Sequence, residues 1–398
     1  MWLLLVTILI MPFEMNPHLY LAPSLLGVIY DLTLIKILGM IGAAWALMKI
    51  ISGSGGEPVF RSPQARLFAA LLIGVLISAT LNSSALWAVV KYLALVMFMP
   101  FVLTSVQTRE DLRRVIQAAV LAMTIAVPYA MWQLTRWTGR LGVGLYETNY
   151  FAANLVLIIP LAFALAASER TAGKRLLWAA SGLLLIVAVL MTSSRGGYLG
   201  LLVAGLVYAY RRWGPVAAGA ALIVLLLAAL PMEVGQRAVA TVATDRPPPP
   251  GVEESTRAHK ALFWGGLRMV ADAPIFGVGP QRFRDYSRRY SGLGVDYIAH
   301  NTYLELAAEA GVPVLVLFLL LVATAVGTLG RAARLNYADE DRALGVWADG
   351  LRTGLIGFAV AGLFISAQYE KPFWLMIFLS IVVGRLATRQ AAALANGP

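Results

Sequence analysis

The sequence predicts an all-α polytopic membrane protein with about twelve transmembrane helices and one large helical loop on the outer side, between spans nine and ten. Three observations lead there. Mean hydropathy is +0.74, with 59% hydrophobic and only 13% charged residues, where soluble domains carry about a quarter charged. Apolar runs long enough to cross a bilayer recur along the whole chain, and most lack the polar face that a soluble helix needs. Basic residues cluster in the short intervals between those runs, where they set membrane orientation.

Taken in order, the apolar segments fall at about 2–20, 28–50, 66–82, 86–105, 115–135, 149–168, 176–192, 197–210, 214–232, 311–330, 351–368 and 373–390. The first residues lack the basic start and small-residue cleavage site of a signal peptide, so they read as the beginning of the first span. The organisation is then spans one to nine over 1–232, a loop over 233–309, and spans ten to twelve with the C-terminus over 310–398. With both termini cytoplasmic, the short inner loops hold basic clusters such as Arg109, Arg113 and Arg114, or Arg331, Arg334, Arg342 and Arg352. The short outer loops hold only Arg136, Arg140, Arg195 and Lys371. The net charge of +11 therefore reads as topology rather than as nucleic-acid binding. Zero cysteines exclude disulfides and thiolate metal sites, and the three scattered histidines give no paired ligand spacing, so no metal or other cofactor is expected.

The outer basic residues invite a chemical reading. Arg195 stands in Met191-Thr-Ser-Ser-Arg-Gly-Gly-Tyr198, a hairpin between two apolar runs. Gly196 and Gly197 would let the backbone approach a ligand, and the start of the next helix beside a guanidinium suits a phosphate. Asn149 opens the sixth span on the same side, as a helix cap or facing a polar cavity. Asp31, Lys36 and Lys91 lie within apolar runs, where ionisable groups face the bundle or snorkel outward.

The loop begins with the polyproline run 247–250, a stiff spacer. A helix capped at Ser255 or Thr256 should run to about Ala271, with Arg257, Ala261, Trp264 and Arg268 on one face, and lie at headgroup level. After the turn Gly277-Val-Gly-Pro280 and a basic stretch from Arg282 to Arg289 comes His300-Asn301. Asn301, Glu305 and Glu309 recur every fourth residue along one helix side, adjoining His300 and able to set its basicity.

This order resembles the O-antigen ligase and polymerase family of bacterial membrane glycosyltransferases. It runs Ser194-Arg195-Gly196-Gly197, Arg257, Trp264, Asp272-Ala-Pro, Gly277-Val-Gly-Pro280, then His300-Asn301 with Leu304, Glu305 and Gly311. The resemblance covers roughly Asn149 to Pro313; beyond it, only topology agrees. It implies a fold like the GT-C class, an inner-membrane location and a periplasmic active site. It implies metal-independent, inverting transfer of a glycan from undecaprenyl pyrophosphate to a lipid A–core sugar, or in the polymerases to another carrier-linked glycan. Arg195 and Arg257 match arginines assigned to the pyrophosphate, with Tyr198, Arg136 and Arg140 as further donor-site candidates. His300 matches the histidine proposed for catalysis, supported by Asn301, Glu305, Asn149, Gly196, Gly197 and Arg282; His259 is an additional histidine that some members lack. The expected partners are the lipid-linked donor, the acceptor and membrane lipids. A twelve-span transporter or flippase is the rival reading, but such proteins often show two similar halves and none are found here.

Overall fold

The computed structural model describes residues 1–14, 20–22, 32–55, 61–84, 86–134, 141–142, 148–229, 252–336 and 342–395. These are helical apart from turns and one brief strand pair, Tyr20–Ala22 (β1) against Leu32–Thr33 (β2), antiparallel. Each predicted apolar segment overlaps a helix. In order they are α1 (Trp2–Ile10), α2 (Leu34–Ile51), α3 (Pro63–Leu81), α4 (Leu86–Ser105), α5 (Arg109–Leu134), α6 (Thr148–Ser168), α7 (Ala172–Met191), α8 (Arg195–Trp213) and α9 (Pro215–Ala229). The segment after them forms α10 (Val252–Asp272), α11 (Phe283–Ser291) and α12 (Thr302–Ala310), followed by α13 (Val312–Asn336), α14 (Ala343–Ala361) and α15 (Lys371–Ala395).

Seven of these helices are long and apolar enough to cross a membrane: α2, α3, α5, α6, α7, α13 and α15. The apolar stretches in α1, α4 and α9 are shorter, and α8 and α14 are not among the seven. The first two segments end sooner or start later than hydropathy suggested. Pro12 turns α1 into a 3₁₀ turn at Met11–Phe13, and α2 begins only after Thr33, whose side chain caps it at Lys36 N (3.4 Å). Lys36 thus sits in the first turn of α2 rather than deep within a span, while Asp31 lies outside the described residues. A further shift is at α14, predicted from 351 and found from Ala343. It brings Asp349 inside the helix, one turn before Arg352, and there Asp349 pairs with Arg211 of α8 (Nε to Oδ1 2.5 Å).

Local chemistry explains the ends. Ser62 accepts from Ala65 N (3.2 Å) with Pro63 in the first helical position of α3. Thr108 and Asp111 close a reciprocal box at the start of α5, each side chain accepting from the other's backbone N–H (3.1 and 3.0 Å).

The centre of the bundle is α6 and α14, with α8 and α13 beside α14. Small residues let these axes approach. A Cβ on Gly354 would stand 2.2 Å from the Leu157 carbonyl oxygen of α6, and one on Gly200 of α8 2.7 Å from that of Gly357. Large apolar side chains such as Ile73 on α3, Leu183 on α7 and Leu320 on α13 point outward and are exposed, as a lipid-facing surface requires. Helix α10 packs on α11 and α12 around a small second core of Leu262, Met269, Phe283, Ala299 and Ala308.

Candidate functional site

Two turns and one loop helix carry the candidate residues. The first turn joins α7 to α8. Ser193 adopts a left-handed backbone (φ 51°), and Ser194 caps α8 by accepting from Gly197 N (3.2 Å). Arg195 is the first residue of α8, is exposed, and makes no hydrogen bond or ion pair among the described residues. Gly196 and Gly197 serve helix packing rather than ligand approach. A Cβ on Gly196 would lie 2.8 Å from Phe364 Cβ, and one on Gly197 2.6 Å from Ala152 Cβ. The Tyr198 hydroxyl donates to the Leu190 carbonyl and staples the hairpin.

The second turn carries His300, also left-handed (φ 49°). A non-glycine residue in that conformation persists only when its surroundings hold it, and such strain concentrates at functional sites. Here three neighbours hold it. Asn301 caps α12, its Oδ1 accepting from Tyr303 N and Leu304 N (3.0 Å each). Glu305, buried, accepts from Ala299 N (3.0 Å), the residue before the histidine. Thr302 ties the start of α12 to the α14–α15 connection, with N to Gly362 O (2.8 Å), Oγ1 to Ile365 O (2.7 Å) and Ala367 N to Oγ1 (2.8 Å). Gly196 packs on Ala361 and Phe364 of that same connection, so residues 361–367 bring the Arg195 turn and the His300 turn together.

Glu305 therefore supports His300 through its backbone, not its ring. The rest of its carboxylate is taken by Gln368 Nε2 (2.7 Å) and the Ser366 hydroxyl. The ring of His300 meets His259 of α10 edge-on, centroids 5.1 Å apart, and makes no other polar or ring contact among the described residues. Helix α10 places Leu262, Gly265, Gly266 and Met269 inward and Arg257, Trp264 and Arg268 outward, as the spacing predicted, although it begins at Val252 rather than at a cap on Ser255 or Thr256. Arg257 is exposed and, like Arg195, without a partner among the described residues.

The glycine turn locks this layer to the bundle. Val278 N and Gly279 N donate to the carbonyls of Ala308 and Glu309 (2.8 and 2.9 Å), and Ser78 Oγ donates to Phe276 O (2.6 Å). Gly277 (φ 63°) has no room for a side chain, since a Cβ would meet the Glu309 carbonyl carbon at 2.3 Å. Arg282 is structural: Nη1 donates to Asn82 O (3.0 Å) and Nη2 to Tyr286 Oη (3.2 Å). The Glu309 carboxyl is held well above the usual carboxylate range by burial and by Glu305, although Oε1 accepts from Phe283 N (3.1 Å). Burial also pushes the Tyr303 hydroxyl up to about 12, and a hydrogen bond to Asp272 raises that of Tyr290.

Asn149 falls within the first turn of α6 rather than at its cap, while Arg136 and Arg140 lie outside the described residues. Lys371 pairs with Glu14, and Lys91 Nζ stands 4.8 Å over the Tyr369 ring. Sequence reasoning missed Thr302, Ser366, Gln368 and Asn154, which donates to Glu370 Oε2 (2.7 Å). The available signal was the polar run Ser366-Ala-Gln-Tyr-Glu-Lys371 between two apolar segments. Among the described residues no three His, Asp or Glu side chains gather as a metal site would require.

Fold and site define a polytopic helical membrane protein in which the start of α8 presents Arg195 and the α10–α12 layer presents Arg257 and a strained histidine, neither arginine having a polar partner among the described residues. Residues 180–319 match the family model described as O-antigen ligase, and this match supports the resemblance of the motifs to the O-antigen ligase and polymerase family. The matched stretch includes Arg195, Arg257 and His300. No curated protein matches the chain.

Proposed function

We propose that the protein is an O-antigen ligase-type glycosyltransferase that moves a glycan from undecaprenyl pyrophosphate to a hydroxyl of a lipid A–core sugar, without a metal and with inversion. On this reading the bundle has a GT-C-like arrangement of twelve spans in the bacterial inner membrane, with both termini cytoplasmic and the α10–α12 layer periplasmic. The observation that carries the proposal is the combination of Arg195 and Arg257, exposed and without a polar partner among the described residues, with His300, half-buried and with its backbone fixed from three sides.

The chemistry follows from those groups. The acceptor hydroxyl oxygen forms a bond to the anomeric carbon while the bond from that carbon to the pyrophosphate oxygen breaks. The hydroxyl proton passes to His300, and the electron pair leaves with undecaprenyl pyrophosphate. Guanidinium groups stabilise the charge growing on the diphosphate, as a divalent ion does elsewhere. His300 acts as general base.

The test is glycan transfer by purified protein, with lipid A–core and a second carrier-linked glycan as alternative acceptors, with and without chelator. Transfer to lipid A–core should be unaffected by chelation, His300→Ala should lose about 10²–10⁴ in rate, and Arg195→Ala or Arg257→Ala about 10²–10³ each. Full activity in His300→Ala would end the proposal, and transfer only to the carrier-linked glycan would make the protein a polymerase.

A further inference from the structure

At the far end of the bundle from His300, three helices bring arginines together around a single carboxylate. Arg195 begins α8 and Arg211 lies near its end, sixteen residues or about 24 Å along the axis. There the Arg211 guanidinium binds Asp349 of α14, whose side chain is only 8% exposed. Arg352 stands one turn further along α14, on the same side as Asp349. Its guanidinium lies against α13, because a Cβ on Gly330 would be 3.2 Å from Arg352 Cζ. Arg334 follows Gly330 by four residues and so shares that face of α13.

The charges do not balance. Among the described residues, Asp349 answers Arg211, but Arg352 Nε and Nη1 are buried without a hydrogen-bond partner and Arg334 makes no polar contact. Leaving guanidinium N–H groups unpaired away from water is costly. The C-terminal dipoles of α8 and α13 offset part of the positive charge, and the N-terminal dipole of α14 adds to it. The count of basic residues along the chain placed Arg352 with an inner loop, where it would be an ordinary topology signal. Inside a central helix it is an ionisable group that needs a specific counter-charge.

We propose that Arg352, Arg334 and Arg211 form a binding site for the phosphodiester of an anionic phospholipid, inserted between α8, α13 and α14 on the membrane face opposite His300. A lipid suits the position better than a soluble anion. The arginines lie at the ends of helices whose outward sides are apolar, including exposed Tyr210, Trp213 and Leu335, so an acyl chain and a phosphate are accommodated together. Basic pockets of this kind between membrane helices hold anionic headgroups. The site is independent of the transfer chemistry and stands whether or not that reading is right.

Native mass spectrometry of delipidated protein tests it, with phosphatidylglycerol, phosphatidylcholine or inorganic phosphate added back. Wild type should retain one phosphatidylglycerol about tenfold or more over phosphatidylcholine, with no displacement by inorganic phosphate. Arg334→Gln, an exposed change that leaves the Arg211–Asp349 pair intact, should weaken retention about fivefold, and the Arg334→Gln/Arg352→Gln variant about 25-fold. A thermal melt in phosphatidylcholine checks that each variant folds. Equal retention of both lipids by wild type would overturn the proposal and leave the chain's own acids, such as Asp339, Glu340 and Asp341, as the counter-charge. Displacement by inorganic phosphate, or undiminished retention by a folded double variant, would overturn it too.

Discussion

Glu305 and Glu309 are both buried and lie one turn apart on α12, yet their surroundings give them different roles. Glu305 receives N–H and O–H donors from three residues and clamps the loop before His300. Glu309 leaves Oε2 unpartnered, and burial together with Glu305 raises its pKa. A carboxyl whose folded value lies above its unfolded value favours folding while protonated, and that contribution is lost as pH rises through the folded value. Thermal melts should therefore show stability falling with pH on the alkaline side of the ordinary carboxylate range, and Glu309→Gln should flatten that fall. Glu305→Ala removes the clamp and leaves Ala299 N and Gln368 Nε2 buried without their acceptor, at about 1–3 kcal/mol. It should lower both the melting temperature and the transfer rate. Beside them, His259 holds the His300 ring edge-on. His259→Phe should keep kcat within a few-fold, whereas His259→Ala should lower kcat about tenfold with KM unchanged, as misorienting a general base does. The fourfold spacing of Asn301, Glu305 and Glu309 was legible because helix periodicity is local. The partners of Glu305, Ser366 and Gln368, were not, because about sixty intervening residues separate them and only the tertiary fold brings them together.

At the scale of elements, α14 is the clearest case of what hydropathy hides. Its start was misplaced by eight residues because Asp349 and Arg352 look like loop residues until Arg211 is seen across the interface. Its glycines, by contrast, explain the packing once the neighbours are known. Where α8 crosses α14, each of Gly200 and Gly357 faces the other's backbone, with a Cβ on Gly357 falling 2.8 Å from Val156 of α6 as well. In lipid, helix association relies on such close approach rather than on exclusion of water. Gly357→Leu and Gly200→Leu should each destabilise by about 1–3 kcal/mol or more through overpacking, read as a lower melting temperature in detergent. Gly219→Ala in α9, with nothing within 4 Å, is the matched control and should cost nothing. The Gly196-Gly197 pair was read as making room for a ligand. Its neighbours show that it makes room for α6 and the α14–α15 connection, and the exposed charged side chain of that turn is Arg195.

For the whole molecule, membrane character and the inserted α10–α12 layer were plain in the sequence because long apolar runs and one long polar interval are properties of composition. The count of spans was less so, since α8 and α14 cross-brace their charges inside the bundle and fall short of simple apolarity. Orientation rests on the distribution of basic residues, and the same chain supplies a clean way to test it. It contains no cysteine, so any single introduced thiol reports alone. Arg284 is exposed on α11, Lys174 is exposed at the start of α7, and Arg331 is exposed near the end of α13. Basic residues concentrate in the loops predicted to stay on the inner side, and long loops translocate regardless of charge. A membrane-impermeant maleimide should therefore label Arg284→Cys in intact spheroplasts. Lys174→Cys and Arg331→Cys should react only after permeabilisation. The opposite pattern would put Arg195 and His300 on the cytoplasmic side, where a periplasmic acceptor sugar never reaches them, and the ligase reading would fall with the orientation.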